Sequence, residues 1–228
     1  MKILKNIRPI IERELQTIIS KRGKKTMKLD NSYVSEGDLH MDKLVADFVK
    51  KNYTSVQLIS EESSKINDID LSLSEYVITV DPIDGTENFV SGLKEWGIGI
   101  SVYRNGEHYE SMLGLPELNE YIFTGEKIAR FESRIHGLSS SLTKKELVKI
   151  EEGFEYRIIG CCMYNMTQVV KGSYEKFFNP KGAHSWDLLP GLNLALENNL
   201  LIEVENKKYN GEFLQPTKKY RFSIRNVR

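Results

Sequence analysis

Residues 76–89 read Tyr76-Val77-Ile78-Thr79-Val80-Asp81-Pro82-Ile83-Asp84-Gly85-Thr86-Glu87-Asn88-Phe89. An apolar, β-branched run of this kind predicts a buried strand. It ends in two carboxylates separated by a proline and an isoleucine, followed by a Gly-Thr pair. Proline fixes its own φ and biases the residue before it toward an extended conformation. Asp81 and Asp84 are thereby partly oriented in a rigid turn lined with acid. Hard divalent cations such as Mg²⁺ favour oxygen ligands held in this way. A purely structural reading also exists, in which Asp84 caps a helix starting near Thr86.

With 228 residues the chain is long enough for one large core or two closely packed halves. Lys+Arg and Asp+Glu both number 32, so no net field draws the protein to nucleic acid or to an anionic membrane. An anionic ligand therefore requires a local device. No apolar stretch approaches the roughly 20 residues that span a bilayer, and the charged Lys2-Ile3-Leu4-Lys5 start is unlike a secretory signal. A cytoplasmic protein is expected. Cys161 and Cys162 are adjacent, which does not match zinc-site spacing, and they are expected to be reduced and packed.

Working outward, Ile3, Leu4, Ile7, Ile10, Ile11, Leu15, Ile18 and Ile19 fall mostly at helical spacing, with a helix that starts or kinks at Pro9. A second amphipathic helix follows Gly37-Asp38, with Leu44, Val45, Phe48 and Val49 on one side. Strands are expected at 56–59, 76–80, 97–103, 108–114 and 120–124, in an antiparallel or mixed sheet. Beyond about residue 130 the pattern alternates. Strands at 157–160, 175–178, 200–205 and 220–224 are interleaved with helices from Asn165 to Lys171 and from Asp187 to about Asn198. That order predicts an α+β half (1–130) and an α/β half (131–228) forming one compact unit.

Four acidic positions sit at strand ends or helix starts: Asp38, Glu61-Glu62, Asp81 with Asp84, and Asp187 after Trp186. Singly, each has a structural reading as an N-cap or a first-turn acid. Together they suggest a site, because ligands of open α/β sheets gather beyond the carboxyl ends of strands. Carboxylates converging there repel one another and call for cations.

The sequence resembles the inositol monophosphatase family, Mg²⁺-dependent and lithium-sensitive phosphomonoesterases that include fructose-1,6-bisphosphatases and nucleotide 3′-phosphatases. The resemblance rests on Asp81-Pro82-Ile83-Asp84-Gly85-Thr86-Glu87-Asn88-Phe89, on Trp186-Asp187-Leu188-Leu189-Pro190-Gly191 and on Glu61-Glu62-Ser63, and runs from about residue 28 to 205. It implies a layered α-β-α-β-α sandwich and two or three Mg²⁺ ions. By resemblance, Glu61, Asp81 and the Ile83 carbonyl hold one ion, and Asp81, Asp84 and Asp187 hold another. A weaker third ion would sit by Glu61, with Glu62 near it. Thr86, bonded to Asp38, would orient and deprotonate the attacking water, with Glu61 also in a catalytic role. Asp84, Gly85, Thr86, Gly160, Cys161, Cys162 and Asp187 would contact the substrate, a small phosphorylated metabolite. A homodimer is implied by the same likeness.

Some positions depart from the inositol-binding pattern. Where an acid usually binds ring hydroxyls, this chain has Asn179 or Pro180, and Leu188-Leu189-Pro190 stands where small alanines are usual. The expected activity is hydrolysis of small sugar- or inositol-type phosphate monoesters. The alternatives are fructose-1,6-bisphosphatase or 3′-phosphoadenosine 5′-phosphate phosphatase, and, in another class, a non-catalytic regulatory or binding module. His184 is read as structural or as part of the substrate rim rather than catalytic. The basic run Lys21–Lys28 is read either as solvated lysines or as a mobile loop that approaches the phosphate or third ion.

Overall fold

The structure is a computed structural model that describes residues 2–29, 31–62, 67–148, 150 and 152–227. Ser63, the end of the Glu-Glu-Ser element, lies outside the described residues. A short 3₁₀ turn (Leu4–Ile7) leads into α1 (Arg8–Ser20), and Pro9 occupies the first turn, where a missing N–H costs nothing. A small hairpin follows, β1 (Lys25–Met27) with β2 (Tyr33–Ser35), then α2 (Glu36–Asn52). Ser35, not Asp38, is the N-cap of α2. Asp38 is its third residue and returns a bond to the Ser35 amide, closing a capping box.

The first sheet contains β3 (Val56–Ser60), β4 (Tyr76–Asp84), β5 (Gly97–Arg104), β6 (Glu107–Leu115) and β7 (Glu120–Phe123), in that order, with a short α3 (Thr86–Val90) between β4 and β5. Only β3 and β4 run parallel. The second sheet is built from β8 (Ile135–Leu138), β9 (Glu155–Ile158), β10 (Lys176–Ala183), β11 (Leu201–Val204), β12 (Lys207–Lys208) and β13 (Tyr220–Arg225). Its spatial order is β12-β11-β13-β10-β8-β9. The remaining helices are α4 (Lys144–Leu147), α5 (Cys162–Val170) and α6 (Ser185–Glu197).

The layers follow from which side chains are apolar. On α2, Met41, Val45, Phe48 and Val49 share one face and bury it, together with Ile7, Ile11 and Ile18, against Ile78, Val80, Ile98 and Ile100 of the first sheet. The opposite face of that sheet meets α5 and α6, whose Met163, Met166, Leu188 and Leu192 also pack on Phe177, Ile202, Phe222 and Ile224 of the second sheet. Strand β4 is therefore covered on both faces, which explains why its sequence is a continuous apolar run rather than an alternation. The architecture is the layered α/β sandwich expected, with a thin last layer. On the outer face of the second sheet, the segment bearing α4 overlies a hollow of about 490 Å³ lined by Leu138, Leu142, Ile150 and Phe178.

Five findings depart from the sequence reading. The β1–β2 hairpin and β8 were not anticipated, and α5 begins three residues before the expected Asn165. Lysines 21–28 are not uniformly solvated, because Lys28 is half-buried between two acids. The strand expected at 175–178 extends to Ala183 as β10, carrying a wide bulge between Asn179 and Ala183.

Candidate active site

Strand β4 does not end at Val80 but continues through the acid turn to Asp84. Asp81 pairs with Gly99 and Asp84 with Gly97, so three steps on β4 match two on β5. The additional residue falls at Pro82-Ile83, where proline cannot donate to the ladder and a bulge re-aims the following side chain. Gly85 then turns the chain with φ +80°, and a Cβ there would stand 2.9 Å from Cys161 Cβ. Only glycine suits both demands.

Around this turn lies a cavity of about 230 Å³ lined by Glu61, Asp81, Asp84, Thr86, Cys162 and Asp187, among others. Glu61 enters from the turn after β3. Asp187 enters from the first turn of α6, where its Oδ2 accepts the His184 amide at 2.8 Å, so that His184 rather than Asp187 is the cap residue. Glu61, Asp81 and Asp187 each place a carboxylate oxygen within 4.8 Å of the others. Asp81 is buried, and its Oδ1 has no hydrogen-bond partner. Burial, and then the Glu61 charge, hold the carboxyls of Asp81 and Asp187 well above the usual range.

Asp84 lines the same cavity but stands apart from that trio. Its Oδ2 accepts the Met163 amide at 2.5 Å and the Cys161 thiol at 3.1 Å, which anchors it to the start of α5. Burial still pushes its pKa up to about 6 against those bonds. Asp38 is fully buried, its Oδ2 held by Ser35 and its Oδ1 accepting from Thr86 Oγ1 at 3.1 Å. The same Thr86 hydroxyl lies 3.0 Å from the Ile83 carbonyl, so its single proton serves one acceptor at a time.

On the far side, Asn88 donates to the Glu95 and Ile159 carbonyls at 2.7 Å each and fixes the Gly160 turn, where φ is +79°. Cys161 is buried and Cys162 partly so, and both are free thiols lifted in pKa by burial and by Asp84. Asn179 Oδ1 accepts the Lys181 and Gly182 amides at 3.1 Å and shapes the β10 bulge on the rim. His184 stacks on Trp186 with centroids 4.6 Å apart and bonds through Nδ1 to the Pro216 carbonyl at 3.2 Å. Burial lowers its pKa, and it meets the acid trio through its backbone amide, which donates to Asp187 Oδ2.

Two contacts were not specified by the sequence, although one reading of the basic run Lys21–Lys28 brings it toward the third ion by Glu61. Lys28 Nζ lies 3.0 Å from Glu61 Oε1 and 2.8 Å from Glu62 Oε1. Burial lifts Glu62 to about 7 against the pull of Lys28. Asn88 had been read only as part of a motif, and nothing in its local sequence announces a bond to residue 159.

The Inositol monophosphatase family model matches residues 1–149. The chain belongs to the inositol monophosphatase family. Among relatives of this family member is a fructose-1,6-bisphosphatase/inositol-1-monophosphatase of Thermotoga maritima, 27% identical over 72% of this chain and 68% of the relative. Another is the Nus factor SuhB of Pasteurella multocida, 25% identical over 73% of this chain and 69% of the relative. The solved IMPase of Thermotoga maritima superposes with a TM-score of 0.81 at 22% identity, covering 98% of this chain and 91% of that one. The fold and the family point to a phosphatase of the inositol monophosphatase and fructose-1,6-bisphosphatase superfamily. Among the described residues, no helix is long and apolar enough to cross a membrane.

Proposed function

We propose that the protein hydrolyses small phosphate monoesters with the help of Mg²⁺. The observation that carries this reading is the convergence of Glu61, Asp81 and Asp187, with the buried Asp81 Oδ1 unpartnered. Buried carboxylates so close together are destabilising unless a cation joins them. Every candidate donor is a carboxylate or carbonyl oxygen, which suits a hard divalent ion. In this reading Glu61, Asp81 and the Ile83 carbonyl hold one ion, and Asp81, Asp84 and Asp187 hold a second. When bound, the ions supply Lewis-acid charge to the attacking and leaving oxygens.

The chain's own residues do the rest. Thr86 Oγ1 takes a proton from the attacking water while giving its own to Asp38 Oδ1. Burial raises the Asp38 pKa above the ordinary carboxylate value, although bonds from Ser35 and Thr86 oppose the shift, and this favours accepting that proton. The Gly85 and Thr86 amides, freed by the left-handed turn, donate to phosphate oxygens. Cys161, Cys162 and Gly160 flank the leaving group. Phosphoryl transfer asks chiefly for positioning and charge stabilisation, and this site offers both with water rather than a side chain as the nucleophile.

The cavity lining contains no Lys or Arg among the described residues. A second phosphate on the leaving group would find no counter-charge there, which favours a neutral polyol over fructose-1,6-bisphosphate or 3′-phosphoadenosine 5′-phosphate. Phosphate release from inositol-1-phosphate, glycerol phosphate and those two bisphosphates, with Mg²⁺ and with chelator, tests the reading. Mg²⁺-dependent turnover of the monoesters is expected, and no turnover of any substrate overturns it. The name of the Nus factor relatives raises a second reading, a binding role on the same fold. A module released from chemistry has no need of a costly buried acid cluster, and this favours the hydrolase. Li⁺ inhibition and a homodimer are carried over from the family resemblance, to be checked by assay and by light scattering.

A further inference from the structure

A second hollow lies on the outer face of the second sheet, beneath the segment bearing α4. Its volume of about 490 Å³ suits a small organic molecule. Two rows of side chains cross this part of the sheet, because residues paired on neighbouring strands share a face. One row is apolar: Leu138 of β8 stands beside Phe178 of β10, and Leu142 completes the lining from above. The other row is basic. Lys176 of β10 stands directly opposite Arg225 of β13, so two cations are cross-strand partners. Like charges placed in this way destabilise a sheet.

Neither cation is paired with an acid among the described residues. Lys176 is half-buried, and its ammonium meets the Phe178 ring at 5.7 Å rather than a carboxylate. The nearby acids are engaged or distant. Glu146 holds the start of α4, accepting the Thr143 amide and hydroxyl at 2.7 Å each. Glu175 faces His136 at 3.7 Å, and Glu205 holds Arg221 at 2.9 Å. Glu203 is on β11, two strands from β10 and so about 10 Å away at the usual strand spacing. We propose that this hollow is a second binding site and that it takes an apolar monoanion. Its carboxylate is held by Lys176 and Arg225, and its ring or short chain covers Leu138 and Phe178. The carboxylate relieves the cross-strand repulsion, and the apolar body displaces water from the floor. Asn179 lines both this hollow and the acid-lined cavity, so the bound anion lies next to the rim of the candidate active site.

Calorimetric titration of the full chain in chelator, with 1-naphthoate and with the neutral 1-naphthalenemethanol, tests this. Without metal the acid-lined cavity offers an anion only carboxylates, so it does not compete for the probe. The carboxylate should bind once per chain and about tenfold more tightly than the alcohol, as a charge-assisted contact supplies. Lys176→Met should weaken 1-naphthoate about tenfold and leave the alcohol unchanged. Lys50→Met, which removes an exposed charge on α2, should stay within about twofold of wild type. In a second measurement needing no variant, 1-naphthoate should slow hydrogen exchange at the amides of 136–142 and 176–178. No saturable binding, equal affinity for acid and alcohol, unchanged binding by Lys176→Met, or binding without that protection overturns the proposal. Light scattering covers the other occupant. A mass that falls in Lys176→Met, with no 1-naphthoate bound by the wild type, shows that a second copy covers this face and overturns the proposal too.

Discussion

Asp81 serves the chemistry at the expense of the fold. Its charge is buried beside two others and one oxygen is unpartnered, so removing the charge relieves repulsion in the metal-free protein. Asp81→Asn should therefore melt higher than wild type in chelator, yet lose at least about a hundredfold in metal-dependent turnover. A lower melting temperature together with near-normal turnover would contradict this. Glu110 shows the opposite balance. Buried on β6, it accepts the Ile3 and Leu4 amides and the Tyr53 hydroxyl, at 2.8–3.1 Å. Glu110→Gln should cost about 1–3 kcal/mol in urea unfolding with little change in activity; no loss of stability would show that these bonds matter little. The role of Asp81 could be read from its turn, because proline, acid and glycine are local signals. Glu110 could not, since its partners lie far away in sequence and an acid inside a strand ordinarily marks the solvent face.

At the scale of elements, the close approach of α5 and α6 to β5 depends on missing side chains. A Cβ on Gly99 would stand 2.3 Å from Met163 Cε and 2.9 Å from Pro190 Cγ, and the proline ring cannot swing aside. Gly99→Ala should destabilise by about 1–3 kcal/mol, read as a lower denaturant midpoint; an unchanged midpoint would mean that α6 is free to shift. The long amphipathic helices and the apolar strands were legible because each repeats its period over several turns or pairs. The hairpin was not: Lys25-Thr26-Met27 is exposed throughout and carries no alternation. Nor was β8, whose four residues include His136 and Gly137 and which pairs in parallel with β9 and β10. The start of α5 was misplaced because its cap is a cysteine thiol accepting the Tyr164 amide, a weak signal beside Ser or Asp.

Across the whole molecule, two sheets and the helices between them bring acids from the β3 turn, β4 and α6 into one cavity. That convergence was inferred from the order of the motifs, whereas the Lys28 bridge and the commitment of Asp84 to α5 needed coordinates. Ionising the cluster without metal weakens the fold. Asp84 carries a folded pKa of about 6, above the unfolded value of about 4. Its stabilising contribution is present below the unfolded value and lost as pH rises through about 6. Asp81 and Asp187, raised further, extend that loss upward. Divalent ions need the ionised forms, so the rise in melting temperature given by Mg²⁺ should be larger near pH 7.5 than near pH 5. Equal shifts at both pH values would contradict the linkage. The most direct measurement is anomalous diffraction from crystals soaked in Mn²⁺. The account predicts a peak in coordination contact with Glu61, Asp81 and Asp187; an acid cluster left without one at saturating Mn²⁺ would contradict it.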